Sequence, residues 1–564
     1  MSEIQLTING RPVTAQSGQT ILEAARGAGI DIPTLCHHPA LSNHGACRMC
    51  LVEVEGMRGL QTSCTCPATE GMRVHTETEQ VLEGRRFALE LLFSERNHFC
   101  MYCQVSGDCE LQELAYRYGL DHWRYPRPTE KKEVDASHPY IIMEPNRCIL
   151  CTRCVRACAE IAACHTLGLR ERGSRTMIMA DLDVPLGMSS CVSCGVCLQV
   201  CPTGALIDAA SAYAGHEEEL THTTTTCMHC SVGCTLDVVT RGSRLLRIDG
   251  IWDSGPSGGL LCVDGRFKPV YERRPRITQP LVRRDGQLIE SDWEEALGLA
   301  AERIGNGSVV GLAACYTSNE ALEAFAGLFE GAGRLEMAAP SLDHAELAQI
   351  KDLLDADLIV VAGVDPLVSH RVIGYLIKRA VDHGAALALV GENESELSPY
   401  ASLTATGQDT KAVIEKVTRA NKTVVVYGPG LRPADTKLLR DLADRALYLR
   451  LDQAHNGRGA EAAELAPRDL ENSDSLVLLL GEADDHPEIA RQLNGAFTVA
   501  LASYRSSLVD QIDVVLPTPI WAERTGHFTN VEGKVLPLNA ALPMPGQVRD
   551  EVQVLAALAS MMKP

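Results

Sequence analysis

Of the 22 cysteines in this 564-residue chain, 21 fall within residues 1–262, and the remaining 302 residues hold only Cys315. The opening MSEIQLTING lacks a basic flank and an apolar core, so no signal peptide is expected there and the thiols should stay reduced. Disulfides then explain little of this density, whereas soft thiolates at short fixed spacings hold iron–sulfur clusters or zinc. A formal charge of −21 repels phosphate and anionic lipid, which argues against nucleic acid and membrane-surface partners. No apolar run reaches the length of a membrane span; LIVVAGV and LVLLLG have the length of buried strands. Hydrophobic residues make up 45% and charged residues 22%, ordinary globular composition, and the length suits three to four domains of roughly 150 residues. A soluble protein is expected, cytoplasmic or peripheral to a membrane through a complex, with a cysteine-rich first half and a cysteine-poor α/β second half.

In residues 1–78, alternating apolar positions in IQLTI, then Asn9-Gly10, then VTA predict a hairpin. A helix, ILEAARGAG, follows Thr20. Cys36, Cys47, Cys50 and Cys64 then give C-x10-C-x2-C-x13-C, with LVEVEG as a strand between the last two. Three thiolates in one loop and a fourth from elsewhere suit a 2Fe–2S cluster, as in the plant-type arrangement but with a longer loop. A zinc site would call for two compact CxxC pairs, and only one occurs here. Cys66 reads as a spare buried thiol.

Residues 79–118 read as a helix, a cysteine loop and a second helix. The loop supplies Cys100, Cys103 and Cys109, which leaves a four-iron cube one ligand short. His98 is the nearest donor, and a neutral imidazole in place of a thiolate raises a cluster's potential. The alternative is that His98 is a loop residue and the fourth ligand lies elsewhere.

The most specific pattern lies in residues 138–215. Cys148, Cys151, Cys154 and Cys158 form C-x2-C-x2-C-x3-C, and Cys191, Cys194, Cys197 and Cys201 repeat it, ending in Cys201-Pro202. In the bacterial two-cluster pattern the fourth cysteine of each run ligates the other cluster. One 4Fe–4S cluster is therefore expected on Cys148, Cys151, Cys154 and Cys201, and the other on Cys191, Cys194, Cys197 and Cys158. Gly195 and Gly204 suit tight turns that bring amides near sulfur. Residues 220–275 add Cys227, Cys230, Cys234 and Cys262 around a small hairpin, enough for one more cubane. Nineteen cysteines and His98 thus supply five four-ligand sites, leaving Cys66, Cys164 and Cys315 unused.

This succession resembles the large iron–sulfur chain of respiratory complex I, the NADH-quinone oxidoreductase G or 75-kDa family. It is also similar to the corresponding regions of NAD-linked formate dehydrogenase large subunits, within the molybdopterin oxidoreductase superfamily. The resemblance implies a β-grasp 2Fe–2S ferredoxin domain, a His/Cys 4Fe–4S helical module, a two-cluster ferredoxin domain and a small 4Fe–4S domain. It implies partners as well: a flavin- and NADH-binding subunit, a small 2Fe–2S subunit and a terminal redox subunit. One position departs from the family, which places its histidine four residues before the first cysteine of the second loop; Arg96 stands there.

Residues 276–564 alternate candidate strands (VVGLAAC, DLIVVAG, ALALVG, KTVVVYG, SLVLLLG, DVVLPT) with amphipathic helices such as NEALEAFAGLFEG and RVIGYLIKRAVDHG, plus a helical pattern around 487–493. Such alternation predicts mostly parallel, doubly wound sheets. The VVAGVDP turn, the DVVLP strand and ERTGHFTNVEGKV are similar to the molybdopterin oxidoreductase domain, here truncated. By that resemblance active members carry a cysteine, selenocysteine or serine metal ligand about a hundred residues past the cubane, and a lysine in a C-x-K-G context. Here the only later cysteine is Cys315, and Cys262-Val263-Asp264-Gly265 puts an acid in the lysine's place. A degenerate scaffold without molybdopterin is expected. No P-loop or GxGxxG is present. No catalytic residue is assigned, and electrons are expected to enter from another polypeptide. The alternative is a molybdenum or tungsten catalytic subunit of an NAD-linked formate dehydrogenase.

Overall fold

The computed structural model describes residues 2–126, 131–342, 346–391, 394–405, 410–468, 473–483, 487–490, 493 and 495–562. They form two units, Met1–Leu220 and Thr221–Pro564, of mixed α and β structure.

In the first unit the strands Glu3–Ile8 and Arg11–Gln16 pair antiparallel, Ile8 opposite Arg11. The two turn residues, Asn9 and Gly10, have φ of 50° and 76°, the left-handed pair that a two-residue hairpin of this twist requires. The sheet runs, in order, Arg11–Gln16, Glu3–Ile8, Arg73–His75, Leu51–Val54 and Gln61–Thr62. The helix Ile21–Gly27 starts from a capping box in which Thr20 and Glu23 satisfy each other's backbone amides. It buries Ile21 and Leu22 with Leu6, Ile8, Val52 and Val74. The helix Glu79–Glu95, capped by Thr78, buries Val81, Ala88, Leu89 and Phe93. Its Arg85 is also buried, and donates to the Tyr118 hydroxyl at 3.0 Å and the Leu51 carbonyl at 2.7 Å. After the cysteine loop comes Glu110–Arg117, the second expected helix.

Further along, Ile141–Met143 pairs antiparallel with Leu206–Asp208, which closes the ends of the segment containing both four-cysteine runs. Leu167–Arg170 pairs with Met177–Ala180 between them. Regular structure here is short, in elements of three to five residues.

The second unit begins with a three-stranded sheet of Thr221–Thr226, Thr235–Arg241 and Arg244–Gly250, which contains the expected small hairpin. Two larger sheets follow. Among the described residues, one is wholly parallel, in the order Glu346–Leu347, Leu447–Arg450, Thr423–Tyr427, Leu358–Ala362, Ala386–Val390 and Leu403–Ala405. Every residue of Leu358–Ala362 and Thr423–Tyr427 is buried, as expected of strands covered on both faces. The other sheet has parallel strands Val309–Ala313, Ser475–Gly481, Phe497–Ala502 and Val514–Pro517 at its centre. An antiparallel hairpin, Leu281–Arg284 with Gln287–Glu290, finishes one edge.

Two details differ from expectation and one adds to it. The strand expected to contain Cys315 ends at Ala313, so Cys315 lies just past it. The ERTGHFTNVEGKV stretch forms a separate antiparallel ribbon, Gly526–Thr529 with Val535–Leu538. Only Pro487–Ala490 of the 487–493 pattern is helical in the described residues; most of its remainder lies outside them. No described helix is long and apolar enough to cross a membrane.

Candidate iron–sulfur centres

Cys36, Cys47, Cys50 and Cys64 are all buried at the end of the first sheet. Their sulfurs form one connected group: the Cys50 and Cys64 thiols are 3.4 Å apart, and Cys36 accepts from Cys47 and Cys64. Those hydrogen bonds hold the Cys36 thiol far below its usual range and push Cys47 and Cys64 up. Cys66, expected to be buried, is only partly so, and its thiol turns to the Pro67 carbonyl at 3.9 Å.

Cys100, Cys103 and Cys109 line one cavity with His98. The His98 ring packs edge-on against Phe93, with centroids 5.4 Å apart. One ring nitrogen is hydrogen-bonded to the Leu92 backbone, while the buried Nε2 has no hydrogen-bond partner. Burial, the largest influence, lowers its pKa to about 4, so the imidazole is neutral and Nε2 offers a lone pair. A backbone partner on the far nitrogen is the usual way a protein orients a ligating histidine. Arg96, which occupies the family's usual histidine position, lines a different cavity and donates to the Thr176 carbonyl at 2.6 Å.

The two repeated runs build two cavities. The first is lined by Cys148, Cys151, Cys154 and Cys201, the second by Cys191, Cys194, Cys197 and Cys158. The local backbone repeats as well. Leu150 and Thr152 have φ of 51° and 57°, and the residues at the same offsets in the second run, Ser193 and Gly195, have 55° and 70°. These left-handed residues turn amides toward sulfur: Leu150 N–H to Cys148 and Ser193 N–H to Cys191, both at 3.4 Å. Three of the four positions are not glycine, so local strain is tolerated to bend the loop around its centre. Ala157–Ile161 form a π-helical turn that carries Cys158 across to the second cavity. Gly204 has a different role from the turn expected of it. Its φ is not in the left-handed region, and an added Cβ would lie 2.8 Å from the Cys103 sulfur. The residue is a slot that lets the backbone approach the neighbouring centre.

Sequence reasoning missed Arg147, which donates to the Cys103 sulfur at 3.2 Å and to Gln104 Oε1 at 2.5 Å, and precedes Cys148 in the chain. Its only sequence signal was adjacency to a cysteine run.

Cys227, Cys234 and Cys262 are buried and Cys230 partly so, and the four act electrostatically on one another. The Cys227 N–H donates to the Cys234 carbonyl at 2.8 Å, and Gly265 leaves room for the Cys227 sulfur, 3.0 Å from where a Cβ would stand. Asp264 pairs with Lys268 at 2.5 Å and Arg371 at 3.0 Å. It thus gathers two cations beside the site where a C-x-K-G motif would supply one. A polar cavity of about 160 Å3 adjoins it, walled by His229, Tyr316, Glu482 and Trp521 among others. Cys315 does not line that cavity. It is completely buried in an apolar cluster with Leu322, Phe325 and Leu479, and its N–H donates to Glu336 at 3.1 Å.

Burial pushes most of these thiols upward: Cys148 and Cys262 to about 11, Cys109, Cys151 and Cys234 to about 12. A lone thiolate is costly in such surroundings, so metal binding here must expel protons and supply the compensating charge. Among the described residues no group of three or more His, Cys, Asp or Glu converges tightly enough for a single metal ion. The cysteines instead surround cavities, an arrangement that suits polynuclear clusters.

Comparison with known proteins agrees with this arrangement. Residues 1–79 match the family described as a 2Fe–2S iron–sulfur cluster binding domain, and 85–124 the NADH-ubiquinone oxidoreductase-G iron–sulfur binding region. Residues 138–207 match the ferredoxin-like domain of NADH-quinone oxidoreductase subunit 3, and 220–271 the molybdopterin oxidoreductase Fe4S4 domain. Residues 276–433 and 465–561 match molybdopterin oxidoreductase. A G-type subunit of NADH-quinone oxidoreductase from Rhizobium meliloti is 39% identical over 54% of this chain and 35% of its own length. The alpha subunit of the NADPH-Fe(3+) oxidoreductase of Geobacter sulfurreducens is 32% identical over 71% of this chain and 49% of its own. NADH-quinone oxidoreductase subunit 3 of Thermus thermophilus is 29% identical over 99% of this chain and 82% of its own. The chain therefore spans about a third to a half of the first two relatives and most of the third. Binding domains of both the 2Fe–2S and 4Fe–4S types are present, with a molybdopterin oxidoreductase domain in the second half, and over nearly its whole length the chain is similar to the G or 75-kDa type of NADH-quinone oxidoreductase subunit.

Proposed function

We propose that this chain is the iron–sulfur relay subunit of an NADH-linked multisubunit oxidoreductase, holding one 2Fe–2S and four 4Fe–4S clusters. The ligand sets are Cys36, Cys47, Cys50 and Cys64; His98, Cys100, Cys103 and Cys109; Cys148, Cys151, Cys154 and Cys201; Cys191, Cys194, Cys197 and Cys158; and Cys227, Cys230, Cys234 and Cys262. The corresponding domains are 1–78, of β-grasp type, then 79–118, 138–215, 220–275 and 276–564. When bound, the clusters supply one-electron storage and transfer. The chain's own residues exclude water from the centres, aim amides at their sulfurs and, through Arg147 at Cys103, place a positive charge beside one of them. The observation that carries the reading is the interleaving of two cavities, each lined by three cysteines of one run and one of the other.

Electrons are taken from a flavin- and NADH-binding partner, which a small 2Fe–2S subunit accompanies, and pass to a terminal redox subunit. The relatives named for NADH-quinone oxidoreduction favour quinone chemistry at the far end of the assembled complex. The molybdopterin-type domain serves as scaffold, a reading supported by the burial of Cys315 in an apolar cluster and by Asp264 with its two cations. Counting metals and acid-labile sulfide in the anaerobically purified complex tests this. About 18 iron atoms per chain with no molybdenum or tungsten is the expected result, from five clusters of these types. One molybdenum or tungsten per chain would falsify the scaffold reading.

A further inference from the structure

The cavity lined by Cys158, Cys191, Cys194 and Cys197 has a fifth thiol in its wall, Cys164. A four-iron cube takes one protein ligand at each iron, so this site holds one more cysteine than it needs. Cys164 lies outside the repeated spacing, and the fold brings it back to the site. After the π-turn at Ala157–Ile161, Ala163 and His165 adopt φ of 48° and 53°, and the Cys164 N–H returns to the Cys158 carbonyl at 2.9 Å. Its thiol donates to the Ala162 carbonyl at 3.2 Å, a weak tether for a side chain beside four potential ligands. Cys164 and Cys194 line the same wall of residues, and the two thiols lie within electrostatic range of each other. Neither of the other two cysteines outside the patterns, Cys66 and Cys315, lines that cavity.

We propose that Cys164 is a reserve ligand that takes over the iron held by Cys194 when that bond is lost. The proposal rests on the assignment of Cys158, Cys191, Cys194 and Cys197 made above. In the exchange the Fe–S bond to Cys194 breaks and an Fe–S bond to Cys164 forms. The proton of the Cys164 thiol passes to the released Cys194 thiolate, and no iron changes oxidation state. Where residue 194 carries no thiol, Cys164 ligates during assembly and its proton goes to water.

The test uses the full chain with its co-purifying partners, prepared anaerobically as wild type, Cys164→Ala, Cys194→Ala and the double variant. Iron and sulfide are counted, and the reduced clusters are examined by electron paramagnetic resonance. Cys164→Ala is expected to match wild type. Cys194→Ala should keep the full iron count with an altered signal for one cluster, and the double variant should lose about four irons. If Cys194→Ala loses as much iron as the double variant, the reserve role is overturned while the four-cysteine assignment stands. If the double variant loses none, the assignment itself is overturned. Should Cys194→Ala give no folded protein, iron release to a chelator decides between wild type and Cys164→Ala. A several-fold faster loss of this cluster's signal in Cys164→Ala supports the proposal, and equal rates overturn it.

Discussion

Residues 141–208 and the parallel sheets of the second unit solve the problem of a protein interior in opposite ways. Between Ile141 and Asp208 the strands are three or four residues long, and the interior is lined with buried and partly buried cysteines facing cavities. In the sheets, Leu358–Ala362 and Ser475–Gly481 are buried along their whole length and packed against helices and neighbouring strands. The first region packs its apolar residues around two cysteine-lined cavities, and on the proposed function clusters fill them. The second packs its apolar residues against one another and needs no filling.

The largest expected effect follows from this contrast. Stripping the clusters with a chelator should abolish amide protection across 141–208 while the strands 358–362 and 475–481 keep theirs, as hydrogen exchange read by mass spectrometry will report. Equal loss in both regions would break the comparison. Next in size is His98→Ala, expected to remove one cluster, about four irons per chain, and its electron paramagnetic resonance signal. His98→Cys should restore the iron at a lower potential. Full iron in His98→Ala would show that Nε2 is not needed. Third, Leu478→Ala, which empties a completely buried position in the second unit, should cost about 2–5 kcal/mol. That loss should appear in the exchange of strand 475–481, with the iron count unchanged; a fall in iron would mean that the interiors are not independent.

The smallest effect concerns pH. Burial raises the Glu482 pKa to about 7 from the usual 4.5, with Arg524, Arg276 and Arg274 opposing the rise. Folding thus favours the protonated carboxyl. Its contribution is fully present below about 4.5, is lost as pH rises to about 7, and stays lost above, on the order of 3 kcal/mol for a shift of this size. Glu482→Gln should flatten the stability of the second unit over this window while wild type declines; parallel profiles would refute the assignment.

Much of this was legible in the chain itself. Short spacings such as C-x2-C-x2-C place thiols within one loop whatever surrounds them, so the local groups of cysteines can be read directly. The hairpin at Asn9-Gly10, the Thr20 cap and the buried strands of the second unit are likewise set by a few adjacent residues. Even the exchange of Cys158 and Cys201 between sites has a signature in the repeated spacing. Packing between distant segments decided the rest. Nothing local says that His98 rather than Arg96 turns its ring to Cys100, Cys103 and Cys109, because both sit in the same stretch after one helix. Gly204 reads as a turn residue in the sequence, but in the fold the Cys103 sulfur lies against it; Cys164 reads as a bystander, but its loop folds back to Cys158. Asp264 marks only a missing lysine in the sequence; the fold brings Arg371, more than a hundred residues away, to its carboxylate. Spacing along the chain fixes which donors share a loop, whereas the direction a side chain faces depends on backbone dihedrals and on neighbours supplied by the rest of the fold.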